Sequence, residues 1–128
     1  MAAPRKVLLV EDSEDDQFIT TYLLRKRWPG VEIVTAWNGE AALEALGDMA
    51  AVPPDLILLD INMPRMNGHE FLAEWCGALG NTVPAVVMLS SSEQPREVGQ
   101  SADDEAVRQY FVKPMRAEYL DTIDAMLS

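Results

Sequence analysis

Five short apolar runs, each followed by a segment with helical signals, restrict this chain to a small set of folds. The runs lie at 7–10, 31–34, 56–59, 85–89 and 110–112. The first, third and fourth are apolar throughout, as parallel strands covered on both faces are. The second alternates and the fifth is short, which suits the edges of a sheet. Ser13 is placed to cap a helix with Glu14, Asp15 and Asp16 in its first turn and Arg25, Lys26 and Arg27 in its last. That charge order is the one a helix dipole favours. Phe18, Ile19, Tyr22 and Leu23 share one face of this helix and predict its buried side. Asn38 can cap a second helix with Ala42, Leu43 and Leu46 inward. The Asn67-Gly68 turn leads into a third carrying Phe71, Leu72 and Trp75. A fourth, over 93–104, is polar and interrupted by Pro95 and Gly99. The last follows Pro114, with Leu120, Ile123, Met126 and Leu127 on one face.

Strand and helix alternating five times predict an α/β fold, a doubly wound five-stranded parallel sheet with five helices. The strand order expected of five strands is 2-1-3-4-5, the flavodoxin-like arrangement, whose switch point lies between strands one and three. With 128 residues the chain has the size of one domain, so 1–128 is read as a single unit with no output domain after the fifth helix. A net charge of −11 opposes binding to nucleic acid or to an anionic membrane, and favours divalent cations and basic protein surfaces. Cys76 is the single cysteine and lies in an apolar stretch, which reads as a structural thiol in a reducing compartment. No signal pattern and no apolar run of about 20 residues occurs, so a cytoplasmic location is expected.

The strand ends carry the chemistry. Strand one runs into Glu11-Asp12, strand three ends in Asp60, strand four in Ser90, and strand five runs into Lys113-Pro114. The predicted topology gathers three carboxylates, a hydroxyl and an ammonium on one rim. Two carboxylates about 4 Å apart repel by roughly 4 kcal/mol at an effective dielectric of 20. One lysine cannot neutralise three of them, whereas a hard dication can. All-oxygen ligands without a dedicated calcium loop select Mg²⁺, which keeps waters and completes its shell with phosphate oxygens. A carboxylate that closes an apolar strand, as Asp60 does, is available as a nucleophile and is already ionised at neutral pH. Lys113 can then pair with a phosphoryl oxygen, and the Ser90 hydroxyl can hydrogen-bond another.

These residues resemble the receiver domain of two-component response regulators, of the chemotaxis type and in a stand-alone form. The resemblance rests on the run from Val7 to Asp12, the run from Pro54 to Pro64 with Asn67-Gly68, then Met88-Leu89-Ser90, then Lys113-Pro114. It covers nearly the whole chain. It implies that Asp60 is the phosphoacceptor. It implies a Mg²⁺ site built from Asp12, Asp60, Glu11 and the backbone carbonyl of Asn62. Lys113 would bind the phosphoryl group, Ser90 would be the switch hydroxyl, and Tyr110 the aromatic that turns inward when Ser90 engages. The Lys113-Pro114 peptide would be cis. The implied partners are a histidine kinase or histidine phosphotransfer protein and a downstream protein target. Copies of the chain could pair through the fourth helix, fifth strand and fifth helix. Ser91 departs from the small apolar residue, often Ala, most frequent at its position.

A signalling switch, with only limited self-phosphorylation and self-dephosphorylation chemistry, is therefore expected rather than an enzyme. Two alternatives stand beside it. A magnesium-dependent phosphohydrolase with an aspartyl-phosphate usually carries a second aspartate two residues after the nucleophile, where Asn62 stands here. A receiver that docks its partner without phosphorylation would not need Asp12, Asp60, Ser90 and Lys113 together. His69 reads as a turn residue without chemistry, Trp28 and Trp37 as packing, and Asp15 and Asp16 as first-turn helix charges.

Overall fold

The computed structural model describes residues 4–48, 54–60, 85–90 and 107–127. Five strands form one parallel sheet: β1 (Lys6–Val10), β2 (Glu32–Ala36), β3 (Leu56–Asp60), β4 (Ala85–Ser90) and β5 (Val107–Val112). Their order is β2-β1-β3-β4-β5, as the alternation predicts. Three helices are described: α1 (Glu14–Arg27), α2 (Gly39–Asp48) and a final helix (Ala117–Leu127). The expected third and fourth helices lie outside the described residues.

The central strands are apolar on both sides because both sides are covered. Leu8, Val10, Ile57, Leu59, Val86 and Met88 point to one face, where Ala42 and Leu46 of α2 meet them. Val7, Leu9, Leu56, Leu58, Val87 and Leu89 point to the other, against Leu24 of α1 and Leu120 and Ile123 of the final helix. This strict alternation is the period-two geometry of a strand. The edge strand β2 is more open: its Glu32 and Thr35 are exposed. β5 begins three residues earlier than its apolar run. A register shift leaves Val86 opposite Val107 and Val87 opposite Gln109, so the start of β5 pairs without a continuous apolar run to announce it.

Both predicted helix caps form. Ser13 Oγ accepts from the Asp16 N–H at 3.3 Å, and Asn38 Oδ1 accepts from the Ala41 N–H at 2.7 Å. The predicted buried face of α1 does not. Phe18 is 73% exposed, Tyr22 58% and Ile19 38%, and of the four expected residues Leu23 alone packs inward. The buried residues of α1 are Thr20 and Leu24. Residues 18 and 20, or 22 and 24, differ by about 200° around a helix, so nearly opposite faces are in question. The orientation is set at the C-terminal end of α1. Arg27 hydrogen-bonds Asp124 and pairs with Asp121 at 2.9 Å, and Trp28 Nε1–H donates to Asp124 Oδ1 at 2.9 Å. Trp28 is buried as expected, whereas Trp37 is half exposed.

Leu58 is fully buried between the layers. Leu58→Ala is expected to cost about 2–5 kcal/mol in denaturant unfolding. Phe18→Ser is expected to stay within about 0.5 kcal/mol of wild type in dilute protein, the reverse of what the sequence pattern implies.

Candidate functional site

The rim at the carboxyl ends of β1, β3, β4 and β5 is built by strand register. Val10 pairs with Leu59, so Glu11 and Asp60 leave neighbouring strands side by side. The Glu11 N–H donates to the Ala36 carbonyl at 3.0 Å, which holds the end of β1 against β2. Glu11 then closes a local network. Its carboxylate accepts from the Ser13 N–H at 3.1 Å, and its carbonyl accepts from Gln17 Nε2 at 3.1 Å. The start of α1 is thereby tied to the end of β1.

Glu11 and Asp60 are buried, each about 1% exposed, while Asp12 faces solvent. Carboxylate oxygens of Glu11, Asp12 and Asp60 all lie within 4.8 Å of one another. Lys113 lies among them. Its Nζ is 2.8 Å from Glu11 Oε1, 2.9 Å from Asp60 Oδ2 and 3.5 Å from Asp16 Oδ2. Burial pushes the Glu11 carboxyl up to about 7, with nearby Asp60 adding to the shift and Lys113 opposing it. Burial would lower the Lys113 ammonium, but its hydrogen bonds to Glu11 and Asp60 win and raise it to about 12. The ammonium is therefore charged throughout the neutral range.

Ser90 ends β4 beside Val112 and is 7% exposed. The Lys113 N–H donates to the Ser90 carbonyl at 2.8 Å, so the two residues are fixed to each other through the backbone. Tyr110 is half-buried, pairs with Met88, and packs against the core layer on the α2 side of the sheet. The Lys113-Pro114 peptide is cis. Behind it Phe111 and Tyr119 stack with ring centroids 4.1 Å apart, and Tyr119 Oη donates to the Val112 carbonyl at 2.9 Å. Those two contacts brace the turn that presents Lys113. Asn62 and Ser91 lie outside the described residues.

The rim thus assembles Glu11, Asp12, Asp60, Ser90 and Lys113. It adds Asp16, which the sequence pattern assigns to the helix dipole. Its backbone N–H is held by the capping Ser13, and its side chain reaches Lys113 Nζ at 3.5 Å. Among the described residues the three clustered carboxylates of Glu11, Asp12 and Asp60 each offer an oxygen ligand atom, a set that suits a hard divalent cation.

A doubly wound α/β domain with an acidic rim at its switch point is the class that fold and site define. The sequence matches the response regulator receiver domain over residues 7–123, and the chain belongs to that family. It is 37% identical over 122 residues to the two-component response regulator ORR41 of Oryza sativa subsp. japonica, covering 92% of this chain and 90% of that protein. Two further relatives are longer proteins, of which the chain spans 26% and 29%. Among solved structures, a two-component response regulator from Cytophaga hutchinsonii superposes with a TM-score of 0.86 at 30% identity, over 95% of both chains. The response regulator TrrA of Thermotoga maritima, in complex with Mg²⁺-BeF, superposes with a TM-score of 0.75 at 26% identity, over 97% of this chain and 99% of that one. No described helix is long and apolar enough to cross a membrane.

Replacing Lys113 by Met removes the ammonium that bridges the two buried carboxylates. Near pH 8 this is expected to cost about 3 kcal/mol of unfolding free energy in metal-free protein, and clearly less near pH 5, where Glu11, pushed up to about 7, takes up a proton instead. Urea titrations at the two pH values check it.

Proposed function

We propose that this chain is a phosphorylation-dependent signalling switch in which Asp60 accepts a phosphoryl group from a histidine kinase or histidine phosphotransfer protein. The observation that carries this reading is the placement of Asp60. Its carboxylate closes the central strand, clustered with Glu11 and Asp12, and its Oδ2 lies 2.9 Å from the Lys113 ammonium. Membership of the receiver family supports it.

In the proposed reaction an Asp60 oxygen attacks the phosphorus of a phosphohistidine. The P–N bond breaks as the O–P bond forms, and the imidazole leaves with a proton from solvent. Three carboxylates would repel an incoming phosphoryl group. Glu11, Asp12 and Asp60, with the backbone carbonyl of Asn62, fit Mg²⁺ by donor type and charge. When bound, Mg²⁺ supplies positive charge that offsets the phosphoryl oxygens. Lys113 exchanges its contact with Asp60 for one with a phosphoryl oxygen, which its charge and reach permit. The Ser90 hydroxyl donates to another oxygen, and Tyr110 follows inward along β5. The backbone tie between Ser90 and Lys113 makes these two contacts one event. The product is an acyl phosphate read by a downstream protein or relayed onward. The domain would act in the cytoplasm and as a unit over 1–128.

Purified protein with Mg²⁺ and a small acyl-phosphate donor is expected to gain one acid-stable, hydroxylamine-labile phosphoryl group per chain, seen by intact mass. Asp60→Asn should abolish the labelling. Labelling of that variant at the wild-type level would overturn the assignment.

Ligation requires the ionised form of Glu11, whose carboxyl is pushed up to about 7. Mg²⁺ must therefore displace a proton at lower pH. Its affinity is expected to fall as pH drops from about 8 to about 6, approaching tenfold per unit below 7. The same linkage makes the Glu11 contribution to metal-free stability largest below its ordinary value of 4.5 and lost as pH rises through about 7. Glu11→Gln should flatten the Mg²⁺ pH profile, measured by calorimetry in buffers of differing ionisation enthalpy.

A further inference from the structure

The face of α1 that the core does not use carries an ordered pattern. Glu14, Phe18, Tyr22 and Lys26 succeed one another at intervals of four, so they form a single stripe along the helix. Phe18 is 73% exposed, Tyr22 58%, and Trp37 from the loop after β2 is 50% exposed beside them. Together they line a groove of about 630 Å³, apolar in the middle, with Glu14 at one end and Arg25 and Lys26 at the other. Three aromatic rings this open and this contiguous leave an apolar surface free for contact.

The order of the stripe says what covers it. Read from either end it runs acid, ring, ring, base against base, ring, ring, acid. Lay a second α1 across it antiparallel, about a two-fold axis, and position numbers of facing residues sum to the same value. Glu14 then meets Lys26 of the other copy, and Phe18 meets Tyr22, twice each. A parallel arrangement would instead oppose Glu14 to Glu14 and Lys26 to Lys26. An unrelated helix would have no need of this symmetry, whereas an isologous contact requires it. The aromatic pairs supply the apolar centre and the ion pairs the rim, the usual anatomy of a protein interface. A membrane surface is a poor fit, because the cations sit at one end only and the chain carries −11 overall.

We propose that this stripe is a homodimer contact, formed by antiparallel pairing of α1 with α1 of a second copy. The net charge of each copy opposes approach at long range. At about 0.1 M ionic strength the Debye length is about 10 Å, so that repulsion is screened while the contact pairs are kept. The contact lies on the outer face of α1, away from the buried Leu24, and uses none of the rim residues assigned to phosphorylation.

The test is sedimentation velocity on the full chain across a wide concentration range, without phosphodonor. Wild type is expected to pass from monomer to dimer. Glu14→Lys and Lys26→Glu should each weaken the dimer at least threefold, since each sets like charges face to face twice. An equimolar mixture of the two variants should recover the dimer, because both contacts then pair Lys with Glu. The double variant E14K/K26E should recover it alone. Phe18→Ser with Tyr22→Ser should leave a folded monomer, with folding checked by circular dichroism. A wild type that stays monomeric overturns the proposal, whether or not a helical kinase domain occupies the stripe. So does a dimer indifferent to Glu14→Lys, as one built on β5 and the final helix would be. So does failure of the mixture to recover association.

Discussion

Parallel pairing of β1 with β3 forces two carboxylates together, and the site is organised around that constraint. Neighbouring strands run about 4.8 Å apart. Val10 beside Leu59 therefore leaves Glu11 and Asp60 adjacent, both buried, on a rim they share with Asp12. Such a pair needs either a cation beside it or a proton on one of its members. Lys113 is that cation in the metal-free protein, reaching both carboxylates and, more distantly, Asp16. The cost of burying the acids appears as the upward shift of Glu11. The gain appears in Lys113, whose ammonium is more tightly held than burial alone would allow. A ligand that brings its own balance of charge would have to replace these contacts.

Much of this is legible in the residues, for one reason. Strands covered on both faces must be apolar at every position, so 56–59 and 85–89 stand out from their surroundings. The residue that ends or succeeds each run then belongs to the rim. Asp60, Glu11 and Lys113 are visible because they interrupt or end such runs. β5 is only half visible: its first residues pair through backbone atoms opposite a register shift, and the mixed run Val107-Arg108-Gln109 leaves no apolar pattern in the sequence. Asp16 is hidden because an acidic residue in a first helical turn already has an explanation. Its approach to Lys113 depends on where the helix starts in space.

The face that α1 buries departs from periodicity for a physical reason. Phe18, Ile19 and Tyr22 make the most apolar stripe of that helix, and periodicity assigns the most apolar stripe to the core. In the folded chain Leu24 and Trp28 dock against the final helix, with Arg27, Asp121 and Asp124 locking the angle. Two large residues at the right end of the helix, with specific polar contacts, outweigh three that are poorly placed. Ala42 and Leu46 on α2, and Leu120 with Ile123 on the final helix, obey the simple rule because no competing stripe exists there.

The hydrogen bond from the Lys113 backbone to the Ser90 carbonyl makes the tips of two strands into one lever. The tie between the two tips does not pass through any side chain. Substituting either side chain would then silence one handle while leaving the linkage between them whole. Ser90 and Lys113 are in this sense joined by the peptide unit itself, the part of the molecule that mutation alters least.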